Sequence, residues 1–211
     1  MRSRQFVRSI FLNSGPRVAG LKRDPEVAAT LVNGLRYEKL PATLAPVKAL
    51  LTDKYAILDD LALQVITHKS FLNGIKPYNE KLAALGHKVL NLYCAKYVTL
   101  GPTTNNETAV NGHNLDVLGS PMARELSGKL AAGLFAKSKG LSDGMFWKLA
   151  NHELSFEALG EMTVAAHMVY ALVGAVAVSH GKQVAEQFIA EHMTPALEAI
   201  TVKIVDDLTA E

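Results

Sequence analysis

His87 and His167 are the residues whose types and setting most invite chemistry in this sequence. Both fall in stretches with helical apolar spacing, and Glu80 lies seven residues before His87, two turns away on the same stripe. Two imidazoles and one carboxylate form a set that zinc accepts, and a catalytic zinc needs three protein ligands. A hydrolase with a non-standard metal site at His87 and His167 is therefore one reading. The plainer one is that half-buried histidines bond to their neighbours. His68 is expected to be scaffold, joining helices through a hydrogen bond. Ser70, Ser155 and Cys94 stand near no nucleophile motif, and Cys94, on an apolar helix face, is expected to be a small core residue. As the single cysteine it excludes an intrachain disulfide and any zinc cluster built on cysteines. That suits a reducing compartment.

These side chains meet only if helices bring them together, and the sequence reads as helix almost throughout. Leu82, Leu85, Val89, Leu92, Cys94 and Ala95 recur at spacings of three and four, and Leu130, Leu134 and Phe135 do likewise after a start at Pro121. Residues 156–179 keep the same period through Phe156, Leu159, Met162, Ala166, Val169, Val173 and Val176, with many alanines. Within 160–178 Glu161 is the only charge, so this helix is expected to be central, and its His167 and Tyr170 need hydrogen-bond partners or a wet cleft. Nothing alternates with period two for long enough to be a strand. The polar stretch Gly101–Gly119, with four asparagines, is the expected loop between two long helices. The expectation is an all-α fold: one helical domain over residues 24–211.

Length and charge agree with that expectation. A chain of 211 residues with 49% apolar and 20% charged residues can bury about 70% of its unfolded surface and is not a disordered chain. No stretch is expected to approach the ~18 uncharged apolar residues that a spanning helix needs. Residues 1–23 hold six of the 22 basic groups and no acid, which leaves residues 24–211 with 16 bases against 20 acids, a net of −4. Arginine and serine without acids, mixed with Phe6, Val7, Ile10 and Phe11 and closed by Gly15-Pro16, compose a mitochondrial targeting segment. The alternative is a basic arm that stays on the protein and touches an anion such as RNA.

Two runs carry more. Ile66-Thr67-His68-Lys69-Ser70-Phe71 and the segment from Asn79 to Leu90 (NEKLAALGHKVL) resemble the two opening motifs of the ribonuclease III family, L-T-H-R-S-Y and N-E-R-L-E-F-L-G-D-A-V-L. The run Val164 to Ala175 resembles the family's L-A-D-x-x-E-A-L-I-G-A helix, and Ala123 to Leu141 resembles its R-A-x-L segment more loosely. Together they cover about residues 58–195 in the family's order. The resemblance implies a ribonuclease III endonuclease-like fold in which two helices face each other. In the family each helix offers two carboxylates on one face, and the four hold Mg²⁺ for phosphodiester hydrolysis. At the matching positions this chain has Ala83, His87, His167 and Tyr170. Glu80 matches a further family glutamate, and the second stripe, through Gly160, Thr163, His167, Tyr170 and Gly174, carries no acid. The resemblance thus implies the scaffold without its metal ligands: no enzyme, no metal and no cofactor.

The family's companion double-stranded-RNA-binding domain is not expected, since sixteen residues follow Pro195 and read as a helix end through Leu197, Ile200, Ile204 and Leu208. A disarmed domain of this kind, behind a targeting-like segment, is similar to the ribonuclease III-like proteins of the mitochondrial large ribosomal subunit, the small fungal ones in particular. That similarity implies a structural role in the ribosome of the mitochondrial matrix, with ribosomal RNA and other mitochondrial ribosomal proteins as partners. It also implies a dimer with another ribonuclease III-like subunit and no membrane. An RNA-processing adaptor, pairing with an active partner outside the ribosome, is the alternative. Lys129, Lys137 and Lys139 are the candidate RNA-binding patch, against the alternative of an ordinary solvated helix face.

Overall fold

The computed structural model describes residues 34–101, 107, 109–148 and 160–210. The basic segment 1–23, Ser155, Phe156 and Leu159 lie outside the described residues. Eight α-helices occur among the described residues: α1 (Pro41–Leu50), α2 (Asp59–Val65), α3 (Glu80–Thr99), α4 (Pro121–Leu126), α5 (Lys129–Ser138), α6 (Glu161–His180), α7 (Lys182–Phe188) and α8 (Thr194–Ala210). Two isolated bridges join described residues, Thr67 with Phe146 and Val110 with His113, and no longer strand is found among them. The all-α reading holds.

α6 is the axis of the molecule. It buries twelve residues between Val164 and Val176, because it is apolar on almost every face, and it packs most extensively against α3 and then α5. By length and composition alone this 20-residue helix would pass as a membrane span, which corrects the expectation that no stretch would. The other helices cover it instead, as they do the central helix of a helical core.

α3 and α6 cross at two glycines. A Cβ at Gly86 would stand 1.8 Å from the Tyr170 carbonyl oxygen, and one at Gly174 would stand 2.1 Å from that of Leu82. Only hydrogen side chains let the two backbones touch there. Gly133 of α5 meets Met162 in a similar close contact. The crossing decides which face of α3 is inside: Leu82, Ala83, Gly86, Leu90 and Cys94 are buried. Leu85 and Leu92, assigned to the core stripe from their spacing, are instead 40% and 43% exposed. Ala83, Gly86 and Cys94 share the inner face with only two leucines, Leu82 and Leu90.

The helix expected to run on from Pro121 is two helices. Ser120 caps α4, its Oγ accepting the Ala123 N–H at 3.2 Å, and the helix ends at Leu126. The extended backbone of Gly128 then starts α5 in a new direction. This break frees the carbonyl of Ser127 from the helical ladder, and Tyr170 uses it.

The Ile66–Phe71 loop is held from two sides. Phe146 N–H donates to the Ile66 carbonyl, His68 N–H to that of Phe146, and Asn79 N–H to that of Thr67. The buried Asn79 side chain adds a bond from Nδ2 to the Val65 carbonyl at 2.9 Å. Phe71 sits in a ring cluster with Tyr37 and Phe146, centroids 5.5 and 5.2 Å away. The loop is thereby fixed to the first turn of α3.

Candidate functional site

Ala83 and His87 lie one turn apart on α3, and His167 and Tyr170 lie one turn apart on α6, at the glycine crossing. The His87 ring packs on that of Tyr170, centroids 4.6 Å apart and planes tilted by 47°. His68, from the loop between α2 and α3, stacks on His167 at 6.1 Å. Ala83 and Tyr170 are buried, and the three histidines are half-buried. The Tyr170 hydroxyl donates to the freed Ser127 carbonyl at 2.9 Å, so the phenol is satisfied as a neutral group. Burial pushes its pKa well above the usual tyrosine value.

His68 does not join two helices through its ring, contrary to expectation. Its Nδ1 accepts the Ser70 backbone N–H at 3.3 Å and the Ser70 hydroxyl at 2.9 Å, which places the ring proton of the neutral form on Nε2. Ser70 Oγ in turn accepts the Lys148 N–H at 3.0 Å. The ring thus orders its own loop and, through Ser70, residue 148.

All three histidines have lowered pKa values, chiefly because burial disfavours the imidazolium. Cations add to the effect: Lys129 acts on His87 and His167, and Lys69 on His68 and His167. Glu80 opposes it for His68 and His167, but its carboxylate is exposed and bonded to Lys69 Nζ at 2.7 Å, which holds it below the usual carboxylate range. Unfolded histidines therefore take up protons before folded ones. Stability is expected to fall as pH drops below about 6.5, and to go on falling until the folded rings also titrate. Thermal unfolding followed from pH 7.5 to pH 5, in the wild type and in His68→Gln and His167→Gln, checks this. Each variant should flatten the slope, and a wild-type stability constant over the interval would contradict it.

The donor set does not fit a magnesium pair. Mg²⁺ demands near-octahedral oxygen, and the four positions offer a methyl group, two imidazoles and a neutral phenol. Nor is the zinc alternative assembled: among the described residues no three His, Cys, Asp or Glu side chains gather as a metal would require. Glu80 turns to Lys69 instead. Burial pushes the Cys94 thiol up to about 12, so it is the core residue expected and no nucleophile.

The three candidate lysines divide. Lys129 opens α5 beside the histidines, Lys137 acts on Glu161, and Lys139 lies over the Phe135 ring at 5.9 Å. Sequence reasoning missed Asn79 and Ser127 as supports of the site, and Lys69 and Lys148 as cations near it. Two of them left a signal, Asn79 as the first residue of the NEKLAALGHKVL run and Lys69 where the family motif has arginine.

Comparison with known proteins decides what this crossing belongs to. The model of the family described as Ribonuclease-III-like matches residues 59–197, well over half of the chain. The chain belongs to the ribonuclease-III-like family. The match takes in the His68 loop, the α3–α6 crossing and the Ser127 break, so the site lies inside the family's domain. A family relative, "Large ribosomal subunit protein mL57" of Neurospora crassa, is 27% identical over 145 residues, which are 64% of this chain and 54% of that protein. The chain thus spans about half the length of the curated relative it matches. A solved structure, the nuclease domain of ribonuclease III from Campylobacter jejuni, is similar over 74% of this chain and 98% of that chain, with 23% identity and a TM-score of 0.49.

Proposed function

We propose that the chain is a structural component of the large subunit of the mitochondrial ribosome. In this reading it is a ribonuclease-III-like domain without cutting chemistry that contacts ribosomal RNA and neighbouring ribosomal proteins and pairs with a second ribonuclease III-like subunit. The observation that carries it is the α3–α6 crossing, where Ala83, His87, His167 and Tyr170 meet without a carboxylate, and the motif resemblance takes these for the family's four carboxylate positions. A relative named as a large-subunit protein supports the ribosomal part, and the acid-free composition of residues 1–23 supports the organelle. With residues 24–211 at a net −4, RNA affinity rests on local basic groups, and protein contacts carry much of the assembly.

Two measurements test the proposal together. On a sucrose gradient of mitochondrial lysate the chain should co-migrate with the large ribosomal subunit. Purified chain given Mg²⁺, Mn²⁺ or Zn²⁺ should leave duplex RNA intact. Residence in a smaller complex would favour an RNA-processing adaptor, and cleavage lost on His87→Ala would establish a hydrolase in its place.

A further inference from the structure

We propose that the cleft beside the Ile66–Phe71 loop binds the phosphate backbone of an RNA strand, with Lys69 and Lys148 as its charged contacts. The cleft has a volume of about 390 Å³ and is lined by Lys69, Ser70, Asn73, Gly74, Tyr78 and Lys148. Its lining residues include two lysines, a serine, an asparagine and a tyrosine, and no acidic residue occurs among them. That is a surface for an anion that also carries hydroxyls. Phosphate oxygens suit the lysines, and ribose hydroxyls suit Asn73 and Tyr78, the groups through which RNA is held without reading its sequence.

Two features show that the cleft wall is built. Lys69 and Lys148 are far apart in sequence, and the Ser70 hydroxyl joins their segments by accepting the Lys148 N–H while bonding to the His68 ring. The rim beyond it is held in an unfavourable shape: Leu72, Asn73 and Gly74 have successive left-handed φ values of 46°, 54° and 76°. Leu72 is the unusual one, since asparagine and glycine enter this region far more readily than a bulky side chain does. Phe71, locked among Tyr37 and Phe146, anchors the rim, and Gly74 packs against the Tyr78 ring.

Lys69 is already paired with Glu80, but both side chains are more than half exposed. An ion pair of that kind is weak and screened, so a phosphate displaces the carboxylate readily. The histidine cluster next to the cleft is mostly neutral near pH 7 and does not repel the strand. The inference rests on the proposed reading only in taking RNA as the partner. It gives the contact an address different from Lys129, Lys137 and Lys139.

Fluorescence anisotropy of a labelled RNA hairpin, titrated with full-length chain over a series of KCl concentrations, tests it. Lys69→Gln with Lys148→Gln should weaken binding about tenfold or more. It should also make log K against log salt shallower by about 1.4–1.8, the loss of two phosphate contacts. The Arg double variant should keep wild-type affinity, and Lys137→Gln with Lys139→Gln should lose less than the cleft variant. Unchanged affinity and slope in the cleft variant, or a wild type that binds no RNA, overturns the cleft. Gradient sedimentation of the wild type is scored separately. Co-migration with the large subunit beside an unaffected cleft variant rejects only this inference, and loss of co-migration beside a defective cleft variant rejects only the ribosomal reading.

Discussion

Gly174→Ala should unfold this protein at markedly lower temperature, although alanine in a helix interior is ordinarily better than glycine by about 1 kcal/mol. The added methyl would stand 2.1 Å from the Leu82 carbonyl oxygen and 3.2 Å from the Gly86 nitrogen, against main chain that cannot turn aside as a flexible side chain does. The two longest helices of the core must separate, and the layers packed on α6 must follow. Overpacking of this kind costs about 3 kcal/mol or more, which for a chain of this size lowers Tm by roughly 6–12 °C. Gly119→Ala, at a position with no neighbour within 4 Å, should leave Tm nearly unchanged. Differential scanning calorimetry of the two variants decides it. A Gly174→Ala protein as stable as the wild type would mean that α3 and α6 do not touch.

Tyr170→Glu should be about as damaging, and the damage should depend on pH with a sign opposite to that of the wild type. The substitution restores a carboxyl where the family resemblance places one, at a position only 2% exposed and against the His87 ring. A buried carboxylate without partners, together with the orphaned Ser127 carbonyl, costs about 3 kcal/mol or more at neutral pH. Burial raises the pKa of the new carboxyl, so the folded state holds its proton to higher pH than the unfolded state. Stability should therefore recover as pH falls from 7.5 toward 5, where the wild type loses it. Tyr170→Phe, which removes only the hydroxyl, should cost about 1–3 kcal/mol with no such pH term. Chemical denaturation at three pH values separates these outcomes. A Tyr170→Glu protein further stabilised by millimolar Mg²⁺ would show that the pocket still accommodates the ion, against the proposed inert role.

The sequence made some of this plain and hid the rest for identifiable reasons. α6 was legible because an alanine-rich segment, nineteen residues after its opening glutamate with no Asp, Glu, Lys or Arg, has nowhere to go but a core or a membrane; length and composition could not choose between these, and packing did. The convergence of His87, His167 and Tyr170 was legible because helical spacing fixes a face and the family resemblance implied that the two helices face each other. The inner side of α3 was misread because leucine marks burial only on average, whereas a helix crossing at van der Waals distance selects glycine and alanine. The break at Ser127–Gly128 was missed because a single glycine inside a helical pattern is usually tolerated. With the break went the partner of Tyr170 and the placement of Lys129 beside the histidines. The Ser70 hydroxyl reaches the Lys148 N–H across 78 residues, and no periodicity reports a contact of that range.

The glycine pair separates two kinds of inheritance in this molecule. Distance between the helices is set by residues that have no side chain, while the residues lining the space between them set no distance at all. A lineage can therefore exchange every reactive group in that space, one substitution at a time, and hand on an unaltered outline to whatever assembly had come to depend on the outline alone.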